Sequence, residues 1–235
     1  MTTTSEGTGR GLRTGVQKVG TFLSGMVMPN IAAFIAWGLI TALFIPDGYF
    51  PHAQSSALVA PMLYFLLPLL IASTGGRMIH GARGSVVATI ATTGVILSSI
   101  GDPFFDGGTP MFLGAMIMAP LSAWLMKQLD KLWYGKTKAG FEMLVNNFSA
   151  GIWGFILATF GFFAMSPILT WIANVLGDGV KAITDAGLLP LTSILIEPAK
   201  LLFLNHAINH GVLTPLATQD VQETGMSILF LLEAN

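Results

Sequence analysis

The stretch from Leu188 to Leu213 is apolar in composition yet carries Glu197, Pro198, Lys200, Asn205, His206, Asn209 and His210. Taking an ionisable side chain to the depth of a bilayer costs about 2.5 kcal/mol or more, so such groups face a partner, a cavity or a substrate. Glu197-Pro198 predicts a break in the helix, because the residue before proline is pushed out of the α region, and Pro198 suits the first turn of a new helix. A re-entrant hairpin with its tip near Glu197 follows, its helix N-terminus favouring a carboxylate or a ligand oxygen. Lys200, three residues on, can neutralise Glu197; the competing reading is an ion pair that only makes insertion tolerable.

On the helix that starts at Pro198, Asn205 and Asn209 stack at a spacing of four, and His206 and His210 do so on the adjoining stripe. Amides both donate and accept, which suits a ligand made of hydroxyls, and imidazole exchanges a proton near neutral pH. The competing reading is that these side chains bond other helices. Two histidines at this spacing are half a metal site, but the glutamate of an HExxH motif is missing, so neither metal nor cofactor is expected.

Other polar residues are weaker candidates. Asp102 and Asp106 flank Pro103-Phe104-Phe105 and read as solvated turn residues. His80, between Arg77 and Arg83, reads as structural or docking. Gly140 to Ser149 reads as an interfacial helix entering a span, with Glu142, Asn146 and Asn147 turned to headgroups or a partner. Gly7, Gly9 and Gly11 make a GxGxG fragment with no strand before it, which reads as a flexible tail, not a dinucleotide loop.

The elements that must position these groups follow from composition. The chain has 235 residues, 53% hydrophobic and 10% charged, with a net charge of −1 and no cysteine. So few charges, against about 25% in soluble domains, call for a lipid bilayer. The charge balance gives no general attraction for nucleic acid, and the lack of cysteine excludes disulfides, thiolate metal sites and a cysteine nucleophile within the chain. Uncharged runs at Phe22 to Ile45, Ala57 to Ser73, Ser85 to Ile100, Thr109 to Met126 and Ile152 to Val175 predict five transmembrane helices. Pro29, Pro61, Pro68, Pro120 and Pro167 lie inside them, and a kink is expected near Met28.

Lys and Arg alternate in these connections: nine stand in the N-terminal tail and the second and fourth connections, and one, Lys181, on the other side. This places the N-terminus in the cytoplasm. The expected organisation is a cytoplasmic tail over 1–21, a scaffold of about five spans over 22–187, and a re-entrant hairpin opening a substrate-binding region over 188–235. The fold class is an all-α polytopic membrane bundle with interfacial helices.

Three stretches are more specific: Val27-Met28-Pro29-Asn30-Ile31 with Ala33 to Gly38, Gly140 to Ser149, and Ile196-Glu197-Pro198-Ala199-Lys200 with Asn209-His210-Gly211. From about Val16 onward the chain resembles the mannitol-specific enzyme IIC family of the bacterial phosphoenolpyruvate-dependent sugar phosphotransferase system. The resemblance implies a glucose-superfamily IIC fold in the bacterial cytoplasmic membrane, acting as a homodimer. It implies a permease that presents mannitol to a phosphocysteine IIB domain, fed by IIA, and releases mannitol 1-phosphate. Glu197, Lys200, Asn205, Asn209 and His210 are the expected substrate residues, and no catalytic residue is expected within the chain.

Two departures shape the expectation. The family's Gly-Ile-His-Glu motif and its phosphocysteine domain lie beyond Asn235, so the chain reads as a truncated IIC domain, inactive on its own. His206 also stands where relatives carry Asn. A secondary transporter or channel, or an inactive fragment that only dimerises, remain the alternatives, separated by reading the gene past codon 235.

Overall fold

The computed structural model describes residues 6–100, 110–133 and 140–165, with helical positions at 167, 168, 171, 175 and 182. Every regular element among the described residues is helical: α1 (Glu6–Val27), α2 (Ile31–Phe44), the short α3 (Ala53–Ser56) and α4 (Val59–Pro61), α5 (Leu67–Ile100), α6 (Phe112–Trp133) and α7 (Glu142–Phe160).

The first span is α1 running into α2 through a single 3₁₀ turn at Met28–Asn30. Pro29 has no N–H to give to the carbonyl four residues back, so the helix tightens there, as the sequence predicts. Asn30 Nδ2 repairs the break, donating to Met26 O and Thr74 Oγ1 at 2.9 Å each and to Leu70 O at 3.3 Å. The structure departs from the flexible-tail expectation, because α1 is helical from Glu6. Leu12, Val16, Val19 and Leu23 fall on one stripe at helical spacing and Arg10, Arg13, Gln17 and Thr21 on the opposite one, a pattern that favours helix despite the glycines.

Helix α2 ends at Phe44, and the extended ψ of 162° at Ile45 is what Pro46 imposes on the residue before it. The chain folds back so that Tyr49, Phe50 and His52 donate their N–H groups to Ala42, Leu43 and Phe44, satisfying carbonyls that a helix end leaves open. Gly48 makes this possible, since a Cβ there would stand 2.8 Å from Ala42 O. Between Pro61 and Pro68 the helix widens into a π turn, Met62–Leu66, the usual relief where a proline ring crowds the preceding turn.

Helix α5 is two antiparallel arms. His80 (φ −145°, ψ 38°) and Gly81 (φ 57°, ψ −147°) interrupt it, and the positive φ explains the glycine. Ser73 and Ser85 Oγ are 2.8 Å apart, and a Cβ on Gly76 would run into the backbone of Gly84. The second and third predicted spans are therefore one helical hairpin, joined by a two-residue reversal at His80 and Gly81.

Directions alternate through the described chain. Trp37 Nε1 donates to Val59 O, Asn30 meets Leu70 and Thr74, and Gly25 abuts Met78, so α1–α2 runs antiparallel to the first arm, 67–79. Gly84 faces Ala123 and Arg83 bonds Asp130, which sets α6 antiparallel to the second arm, 82–100. Gly94 lies on the backbone of Ala158 and Gly154 on Ile90, with Arg83 on Asn146, which sets α7 parallel to that arm. Five passes result, and Arg77, Arg83, Lys127 and Lys131 share one end with Lys18, the alternation that the basic residues predict.

Helix α6 packs along the α5 hairpin, its Ala115 and Ala119 buried in one cluster with Ala72 and Ala88 and its Met118 and Met126 in another with Val87, Ala91 and Leu157. Small residues let these helices approach closely in a medium that gives no hydrophobic drive of its own. Ile35, Leu39, Val86, Leu97, Ile152 and Phe155 stay exposed on the outer faces, as hydrocarbon requires. The chain is a multi-pass membrane protein. The helix expected to enter the last span is seen: Gly140 (φ 92°) turns the chain, and α7 runs unbroken from Glu142 into the apolar span.

Candidate functional site

Two polar constellations stand out among the described residues. One is the tie at the helix break, where Asn30 joins Met26, Leu70 and Thr74 inside the bundle. Every bond there comes from the amide N–H₂, so it fastens α1–α2 to the first arm.

The other lies at the basic end. His80 at the hairpin tip and Arg83 one turn later both reach Asp130, near the end of α6. His80 Nε2 stands 2.6 Å from Asp130 Oδ2, and Arg83 Nε and Nη2 donate to Oδ2 and Oδ1 at 2.9 and 2.7 Å. Arg83 also donates to Asn146 O at 2.6 Å and Ser149 Oγ at 3.0 Å on α7. A guanidinium is suited to this because its fork matches a carboxylate and leaves further donors free. Lys131 in the last turn of α6 and Glu142 in the first turn of α7 match the signs that helix ends prefer.

The cluster gives His80 the structural role expected of it. Sequence reasoning missed Asp130, and the signal was present: it is the one acid among Lys127, Lys131, Lys136 and Lys138. Glu142, Asn146 and Asn147 are exposed, as expected, but Asn146 also accepts from Arg83 through its carbonyl.

A groove lies between the second arm and α7, walled by Leu97, Thr93, Ala158 and Phe163. Its lining is apolar, and Thr93 and Thr159 already bond Thr89 O and Phe155 O of their own helices. Nothing there would hold a polyol. Among the described residues, no three His, Asp or Glu side chains gather as metal ligands. Glu197, Lys200, Asn205, His206, Asn209 and His210, and also Asp102 and Asp106, lie outside the described residues.

No protein-family model matches the chain, and no solved structure does. Curated proteins do. The chain is 55% identical over 224 residues to the PTS system mannitol-specific EIICB component of Streptococcus pneumoniae strain R6, which covers 95% of this chain and 37% of that protein. It is 54% identical over 235 residues to the EIICB component of Geobacillus stearothermophilus, covering 100% of this chain and 48% of the relative. It is 56% identical over 220 residues to the mannitol-specific EIICBA component of Pasteurella multocida, covering 94% and 34%. The chain spans between about a third and a half of the length of these relatives. The resemblance read from the motifs stands: the chain is a homologue of mannitol-specific components of the phosphotransferase system over nearly its whole length.

Proposed function

We propose that this homologue of mannitol-specific phosphotransferase components is the membrane-spanning part of a mannitol permease. In this reading it takes mannitol across the bacterial cytoplasmic membrane and presents it to a phosphorylated IIB domain, which is charged in turn by IIA. The single observation that carries the reading is 55% identity over 95% of the chain to a mannitol-specific relative.

The alternation of five passes supports a transport scaffold, and the end bearing Arg77, Lys127 and Lys131 is the cytoplasmic one on the positive-inside rule. Phosphoryl transfer then happens at that end. A primary hydroxyl of mannitol attacks phosphorus, the S–P bond breaks as the O–P bond forms, and the hydroxyl proton passes to a base while the thiolate leaves. The thiolate belongs to the partner domain, since the chain has no cysteine. Glu197, Lys200, Asn205, Asn209 and His210 line the polyol site, their amides and imidazole answering hydroxyls that both donate and accept. Two copies work together in the bilayer.

The test is expression of the complete gene in a bacterium lacking its own mannitol permease. Uptake of labelled mannitol, recovered as mannitol 1-phosphate and dependent on phosphoenolpyruvate, is expected. Uptake of unmodified mannitol would make the protein a secondary transporter, and phosphorylation of another hexitol alone would move the substrate.

A further inference from the structure

Arg83 touches two helices besides its own. Its forked bonds to Asp130 lie on α6, and its bonds to Asn146 O and Ser149 Oγ lie on α7. Residues 130 and 146 stand on either side of the connection between α6 and α7, so one guanidinium draws both ends of that connection to the hairpin. Arg83 and Asp130 are 25% and 22% exposed, sheltered enough that the pair is worth more than an ion pair in open water. These two bonds join α7 to the hairpin through one side chain. The hairpin has further ties of its own, the Ser73–Ser85 contact and the close approach of Gly76 to Gly84.

We propose that Arg83 and Asp130 form a lock that holds the basic ends of the hairpin, α6 and α7 together as one body. Arg83 is its indispensable member, because its one side chain bonds both α6 and α7 from the hairpin. His80 is a secondary member: Arg83 already occupies both oxygens of Asp130, and the tip that carries His80 is anchored by the hairpin. With the lock broken, the first turns of α7 separate from the second arm and uncover Ala150, which is buried against that arm.

The absence of cysteine gives a clean test. Ala150→Cys, buried beside Val87 and Ala91 and in none of the lock's bonds, is introduced as a single reporter into the 235-residue chain, extracted from membranes in mild detergent, and labelled with a bulky maleimide. Combined with Arg83→Ala or Asp130→Asn, its labelling rate should rise about tenfold or more, as expected when local opening becomes easier by a factor of that size. Combined with His80→Gln it should change less than about twofold, because the Arg83 fork persists. Folding is checked separately with Ser73→Cys and Ser85→Cys, which should oxidise to a disulfide across the hairpin in each background. Labelling unchanged by Arg83→Ala and Asp130→Asn, with the hairpin disulfide still forming, overturns the lock. If Arg83→Ala loses the disulfide, Arg83→Lys replaces it: this variant keeps the charge without the fork, and labelling equal to the parent overturns the proposal in the same way.

Discussion

Ser73 Oγ and Ser85 Oγ are 2.8 Å apart although twelve residues separate them in sequence. In an unbroken helix the same separation spans about 18 Å of axis. The contact makes the arms 67–79 and 82–100 of α5 two membrane passes.

Opposite ends of the bundle should be reached from opposite sides of the membrane. Asp47 is exposed in the turn after α2, and Lys131 is exposed at the end of α6. With a single cysteine at Asp47, an impermeant maleimide should label intact cells, whereas with one at Lys131 it should label only after permeabilisation. Equal labelling of both in intact cells would sink the five-pass alternation.

The Asn30 tie should be measurable as stability. Interhelical hydrogen bonds in membranes are worth about 0.6 kcal/mol on average and up to about 1.7. Asn30→Ala should lower stability within that range in detergent unfolding. Asn30→Asp should cost more, because an acceptor-only side chain would then face Met26 O and Leu70 O, two further acceptors. Parent-like unfolding of both variants would remove the tie from the account.

Glycines at close approaches should be intolerant where isolated ones are not. A Cβ at Gly94 would run into the backbone of Ala158, and backbone cannot swing aside as a side chain can. Gly94→Val and Gly76→Val should each cost about 1–3 kcal/mol or more and reduce the folded yield on size exclusion. No neighbouring atom lies within 4 Å of where a Cβ on Gly151 would stand, so Gly151→Ala should be neutral or slightly stabilising.

Under the proposed function, Asn209 hydrogen-bonds mannitol. Depriving a buried group of its partner costs about 1–3 kcal/mol, so Asn209→Leu in the complete protein should weaken mannitol binding about 5- to 150-fold. Equilibrium binding of labelled mannitol measures it, and unchanged affinity would assign Asn209 to helix packing.

The helical class, the break beside Pro29 and the separation of basic from uncharged connections were legible in the sequence, because each depends on a short window: hydrocarbon thickness, a missing N–H, the sign of a nearby charge. The same local reasoning misjudged Gly7 to Gly11, where the glycines argued for a flexible tail and the apolar spacing from Leu12 to Leu23 argued for the helix that is seen. Nor does it reveal that Gly76 and Gly84, on either side of the turn at Gly81, let the two arms touch. Tertiary structure alone decided that Ser73 meets Ser85, that Gly94 lies on Ala158, and that Arg83 chooses Asp130, 47 residues away. Hydropathy says that a helix enters the bilayer but not which neighbour it meets. That choice depends on which backbones can come close enough to touch and which polar groups find partners once water is gone.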